Sequence, residues 1–133
     1  MTRKQKISLA LPVLLSILML LGCALMGPPE NVRDVTCSAK TITWEVDKAA
    51  RISNFACNLG KFGIDPALIF TMDLTNVTDK PLRYRVSIFL EDMDKAAGHL
   101  VPRTGKPPVV APGQTANIKI PFLKTETISD KVL

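Results

Sequence analysis

Hydrophobic and polar residues alternate over much of the chain beyond residue 40, and a period of two predicts strands. From Thr41 to Val46, Ile42, Trp44 and Val46 share one face, and Thr41, Thr43 and Glu45 the other. That is the pattern of a half-buried strand. Leu68, Phe70, Met72 and Leu74 alternate with Ile69, Thr71, Asp73 and Thr75. Leu82, Tyr84, Val86, Ile88 and Leu90 alternate with Arg83, Arg85, Ser87 and Phe89. Asn76 to Pro81 separates these two runs and consists of turn-forming residues, so the spacing predicts a β-hairpin. Ala116 to Phe122 reads as a last strand with Ile118, Ile120 and Phe122 inward, and Pro121 implies that it lies at an edge or ends there.

The segments between are less regular. Asp47 to Leu59 fits two patterns. Ile52, Phe55, Ala56 and Leu59 lie at helical spacing, whereas Phe55, Cys57 and Leu59 share a strand face. The neighbouring strands favour the second. Lys61 to Pro66 reads as a loop. Glu91 to Lys95 reads as an acidic turn closed by Gly98, followed by a short strand at His99 to Val101. Pro102, Pro107, Pro108 and Pro112 keep the next segment out of a sheet, and Pro112-Gly113 suits a type II turn. The polar tail from Lys124 is expected to be loosely held, with Ile128 or Val132 as anchors. Short alternating strands between Pro- and Gly-bearing turns predict an all-β fold, a single antiparallel β-sandwich over residues 40–133.

The N-terminal 22 residues have a different character. Arg3, Lys4 and Lys6 precede an apolar run from Ile7 to Leu21, and Gly22 supplies a small residue before Cys23. Leu20, Gly22 and Cys23 resemble the lipobox of bacterial lipoproteins. The resemblance implies that residues 1–22 are a removed signal peptide and that Cys23 carries a diacylglyceryl thioether and an acylated amine. Several acyl chains anchor firmly, since each buried CH₂ contributes about 0.8 kcal/mol. Ala24 after the cysteine implies sorting to an outer membrane, facing the periplasm. The alternative is an uncleaved anchor, because Ile7 to Met26 is long enough to span a bilayer. Residues 23–39, with Gly27-Pro28-Pro29, then read as an extended tether.

Charge and cysteine count refine this picture. The full chain carries 17 Lys and Arg against 12 Asp and Glu. Three of those bases precede Cys23 and no acid does, so fourteen bases face twelve acids beyond it, a charge of +2. That near balance, without a basic block, argues against nucleic acid as a partner. With Cys23 assigned to lipid, Cys37 and Cys57 remain. An even pair in an oxidising compartment suggests one disulfide, the other reading being two free thiols.

From Phe70 to Phe122 the order is strand, Asn-Val-Thr-Asp-Lys-Pro-Leu, strand, acidic turn, strand, Pro-Gly, strand. It resembles small immunoglobulin-like domains of bacterial envelope proteins, including the group named for a Phe-x-Leu-Tyr-Asp pattern. Ile88-Phe89-Leu90-Glu91-Asp92 takes that place here, with Glu91 where the pattern has Tyr. Asn76 and Pro112-Gly113 also match. The resemblance implies an immunoglobulin-like sandwich with an interaction role, no reaction and no cofactor.

Residue chemistry gives few alternatives. His99 is the only histidine, and no nucleophile motif accompanies it. His99, Met72 and Met93 together suit copper, which makes a periplasmic metal or ligand carrier the second functional reading. Glu91, Asp92 and Asp94 read as a solvated turn or a Ca²⁺ site. Arg83 and Arg85 share a strand face and, with Arg103 and Lys106, suit an acidic partner. Pro107 and Pro108 form a rigid surface that loses little entropy on docking, and Phe89 suits an aromatic anchor beside it if its face of the strand is exposed, or the core if the sandwich buries both faces. The sequence thus predicts a lipid-anchored envelope protein whose Phe89, Arg83, Arg85, Pro107 and Pro108 contact a protein partner.

Overall fold

The computed structural model describes residues 27–133, so the signal segment, the lipobox and Cys23 lie outside the described residues. The described chain is all-β, with two sheets stacked as a sandwich. One sheet has the order β2 (Ala50–Phe62), β3 (Asp65–Asn76), β6 (Thr115–Leu123), antiparallel throughout. The other has the order β1 (Thr41–Ile42), β7 (Lys131–Val132), β4 (Tyr84–Leu90), β5 (Lys95–Val101).

The first sheet follows the hydrophobic pattern closely. Leu68, Phe70, Met72 and Leu74 of β3 point into the core, as do Ile118, Ile120 and Phe122 of β6. The rings of Phe55, Phe70 and Phe122 form a chain across the three strands, each pair 5.7 Å apart, and Trp44 meets Phe55 edge-on at 4.9 Å. β6 pairs only with β3, so Pro121 does lie on an edge strand. The ambiguous segment is strand β2, with a bulge. Asn54 and Phe55 together face Met72, and Asn54 takes φ 52°. The extra residue resets the alternation, so Ala50 and Ile52 before it and Phe55 and Cys57 after it all turn inward. The three-residue step from Ile52 to Phe55 is what imitates helical spacing. The expected loop at Lys61 to Pro66 is instead a two-residue turn, Gly63-Ile64, between paired Phe62 and Asp65. Gly63 has φ 65° at its first central position, as a type II′ turn requires.

The second sheet departs further from the sequence expectation. The predicted hairpin of the Leu68–Thr75 and Leu82–Leu90 runs does not form. β3 pairs with β2 and β6, while β4 pairs with β5 and β7, so Asn76 to Pro81 crosses between sheets. Each strand buries one face, and that condition is met equally well by pairing or by stacking. The hairpin is β4–β5, closed by the turn Glu91 to Asp94. Gly98 does not close that turn. It lies inside β5 opposite Ser87, where a Cβ would sit 2.1 Å from the Val86 carbonyl oxygen. Strand β1 is shorter than the Thr41 to Val46 run, although Ile42, Trp44 and Val46 still pack on the core.

Both ends of the described chain are held more tightly than expected. Within the expected tether, Asn31 to Thr36 runs beside β2. The Arg33 amide donates to the Ile52 carbonyl at 3.0 Å and the Thr36 amide to the Phe55 carbonyl at 2.8 Å, while Val32 is buried. The expected loose tail is corrected likewise. It enters the sheet as β7 between β1 and β4, with Val132 and Ser129 buried. Val132 is the anchor its apolar character suggested, and Ile128 packs against the core. Cys37 and Cys57 form a disulfide that ties the N-terminal segment to β2.

Candidate functional site

The alternating runs at Thr41 to Val46 and Leu82 to Leu90 face each other across an opening in the second sheet. A cavity of about 150 Å³ lies there, between residues 42–47 and the Tyr84–Ile88 part of β4. Trp44, Val46, Val86 and Ile88 form its apolar walls, and Ile52, Phe55, Met72 and Leu74 from the opposite sheet form its floor. The Tyr84 hydroxyl donates to the Ala49 carbonyl at 2.8 Å near its far end, and Val132 and Leu133 border its near end. Partial burial and the Asp47 carboxylate raise the Tyr84 pKa above its ordinary value. Trp44 and Val86 are only half-buried because the cavity leaves one side of each uncovered.

The residues expected to contact a partner do not form one patch. Phe89 is 45 % exposed on the outer face of β4, beside Leu133. Pro107 is exposed and Pro108 half-buried in the segment after β5. That segment leaves β5 at Val101, opposite Tyr84, whereas Phe89 pairs with Ala96 near the other end. Five residues of strand, about 16 Å, separate those two pairs. Arg83 is occupied. Its guanidinium donates to the Pro102 carbonyl at 3.2 Å and the Arg103 carbonyl at 3.1 Å, fixing the start of the proline segment. Arg85 is exposed at the rim of the cavity.

His99, Met72 and Met93 occupy separate settings. Met72 is buried in the core. Met93 lies in the β4–β5 turn, and Lys95 to His99 alone spans about 13 Å of strand. The His99 Nδ1 lies 3.0 Å from the Arg103 guanidinium. Partial burial, then that guanidinium, lowers the His99 pKa below 6.5. Among the described residues no group of three or more His, Cys, Asp or Glu side chains is arranged to hold a metal ion. Asp92, expected as part of a solvated or Ca²⁺-binding turn, accepts hydrogen bonds from the Ser129 hydroxyl and, at 2.9 Å, from the Asp130 amide. These bonds, the hydroxyl's first, hold its carboxyl below the usual 3.8.

Two features escape the sequence pattern. The opening itself depends on which strands become neighbours, although the inward residues of both walls were legible. The second is the β2–β3 turn, where Ile64 is 93 % exposed and Phe62 lies 5.7 Å from the Lys119 ammonium. Among the described residues no helix is long and apolar enough to cross a membrane. Comparison with family models, curated proteins and solved structures finds no significant match to this chain.

Proposed function

We propose that this chain is a lipid-anchored protein of a bacterial envelope whose immunoglobulin-like sandwich is a non-enzymatic accessory subunit for a protein partner. The observation that carries the interaction reading is the open apolar cavity between residues 42–47 and β4. A sandwich gains by closing its sheets over such surface, and uncovered apolar walls favour an occupant. The anchoring half rests on the Leu20-Leu21-Gly22-Cys23 motif.

Purification of the full-length tagged protein from its native membranes in mild detergent tests both halves. The expected result is an intact mass carrying the acyl modification at Cys23, and a stoichiometric protein partner. Arg85→Ala, at the rim of the cavity, and Phe89→Ala, on the outer face of β4, both change exposed positions and are expected to weaken partner recovery without lowering the melting temperature. An unmodified Cys23 refutes the lipid anchor. A protein recovered alone under conditions that retain other envelope complexes refutes the accessory role.

A further inference from the structure

Exposed apolar side chains gather at one end of the first sheet. Among the described residues the large exposed hydrophobics are Leu59, Phe62, Ile64, Val77, Phe89 and Leu123, and four of these six surround the β2–β3 turn. Leu59 pairs with Leu68, Phe62 with Asp65 across Gly63-Ile64, and Leu123 of β6 with Ala67. The Lys124 amide donates to the Pro66 carbonyl at 2.8 Å, which holds the end of β6 beside the hairpin. The apex stands clear of the fold. Ile64 is 93 % exposed, and a Cβ added at Gly63 would meet no other atom within 4 Å. A type II′ turn needs Gly at its first central position, and Asn, Asp or Ser suits the second. Neither turn geometry nor core packing therefore accounts for an isoleucine at the apex.

Basic groups surround this tip. Lys61 and Lys124 flank it, the Lys119 ammonium lies 5.7 Å from the Phe62 ring, and Arg103 lines the same hollow as Phe62 and Lys119. All four cations are exposed, and the one ion pair among the described residues is Lys40–Asp130. The acids near them in the chain are Asp65 in the hairpin and Glu126 beyond Lys124, so positive charge prevails. An apolar apex within a ring of cations complements a bilayer whose headgroups are anionic. We infer that the β2–β3 tip docks on an anionic phospholipid bilayer. Phe62 and Ile64 enter the headgroup region, and Lys61, Lys119 and Lys124 lie against the lipid phosphates. Two observations favour lipid over a protein surface. The apex is a single projecting turn, whereas a standard protein interface needs about 800 Å² on each partner. Three of the four cations are lysines, which protein interfaces are poor in and whose apolar stems lie readily along acyl chains. The N-terminal segment borders β2 at Ile52 and Phe55, away from the turn. The tip is therefore a second contact, independent of a lipid on Cys23 and of the accessory role.

Fluorescence quenching on the full-length protein tests the inference. Ile64→Trp places an indole at the apex, and wild type, whose only tryptophan is Trp44 packed on the core, is the control. The probes are vesicles of phosphatidylcholine with brominated acyl chains, alone or mixed with phosphatidylglycerol. The expected result is quenching of the apex indole about twofold or more stronger in the mixed vesicles, with Trp44 emission unchanged. Lys61→Gln and Lys124→Gln in the Ile64→Trp background should each shift the tip about fivefold toward the undocked state. Both lysines are exposed, so the melting temperature should not change. Flotation with the vesicles reports the Cys23 anchor separately. Protein that floats with its apex unquenched overturns tip docking and leaves the anchor standing. Equal quenching in the two kinds of vesicle overturns the assignment to anionic lipid. An unquenched apex, together with loss of a protein partner on Ile64→Ser, would make the tip a protein contact and also overturn it.

Discussion

The carboxamide of Asn76 is fully buried and uses all four of its hydrogen-bonding positions. Its NH₂ donates to the carbonyls of Lys80 at 2.7 Å and Val110 at 2.9 Å, and its oxygen accepts from the amide and hydroxyl of Thr78. Its backbone carbonyl also accepts from the Gly113 amide at 2.8 Å. One residue thereby shapes the crossing between sheets and holds it against the Pro112-Gly113 turn. Asn76→Ala is expected to cost on the order of 3 kcal/mol, because several buried groups lose their partners at once. A urea midpoint within error of wild type would show that water replaces the amide. The local turn role of Asn76 was legible in the sequence. Its bond to Val110 was not, because residues 34 apart are brought together only by the finished fold. Phe89 was left open between surface and core, and the order of the sheet decided it. β4 lies in a sheet with one covered face, and Phe89 is on the other.

At the scale of elements, strand identity was largely readable and pairing was not. The inward residues of β3, β4 and β6 follow the period of two, yet the same pattern predicted a β3–β4 hairpin that the fold replaces with a crossing. A bulge obscured β2, since one extra residue changes the local period without changing the buried face. The Cys37–Cys57 bond belongs to this scale too, joining a segment with only isolated bridges to the longest strand. Replacing both cysteines by Ala is expected to lower stability by about 3 kcal/mol in the chain-entropy account of a 20-residue loop. The comparison is oxidised wild type against the double variant in urea. Equal midpoints would mean that the surrounding bonds of Arg33 and Thr36 already hold the segment in place.

Over the whole molecule, the two ends of the described residues complete the sandwich. Residues 31–36 border one sheet, and β7 fills the middle of the other. The tail is held by the Lys40–Asp130 ion pair at 2.8 Å and by Asp92, which receives Ser129 and the Asp130 amide. Asp92 has a folded pKa below its unfolded value, so its contribution is present above pH 3.8 and is lost as pH falls through the folded value. Asp92→Asn should therefore lower the denaturation midpoint at neutral pH and show a shallower fall below pH 3.8. Parallel pH profiles for the two proteins would show that this carboxylate does not couple the tail to acid stability. The acidic composition of the turn was visible in the sequence; its use as a tail clamp was not, since Ser129 lies 37 residues away.

By itself the sequence determined the all-β class, the inward face of most long strands, the edge position of Pro121 and the residues lining both walls of the cavity. These follow from alternation, which records locally which face of a strand meets the core. Only the tertiary structure decided which strands pair, where the tail inserts and where the cavity lies. Backbone N–H and C=O groups are the same at every non-proline residue, so the side-chain pattern of a strand does not name its neighbour. The cavity's chemistry becomes visible only when Thr43 to Val46 and β4 stand on either side of it.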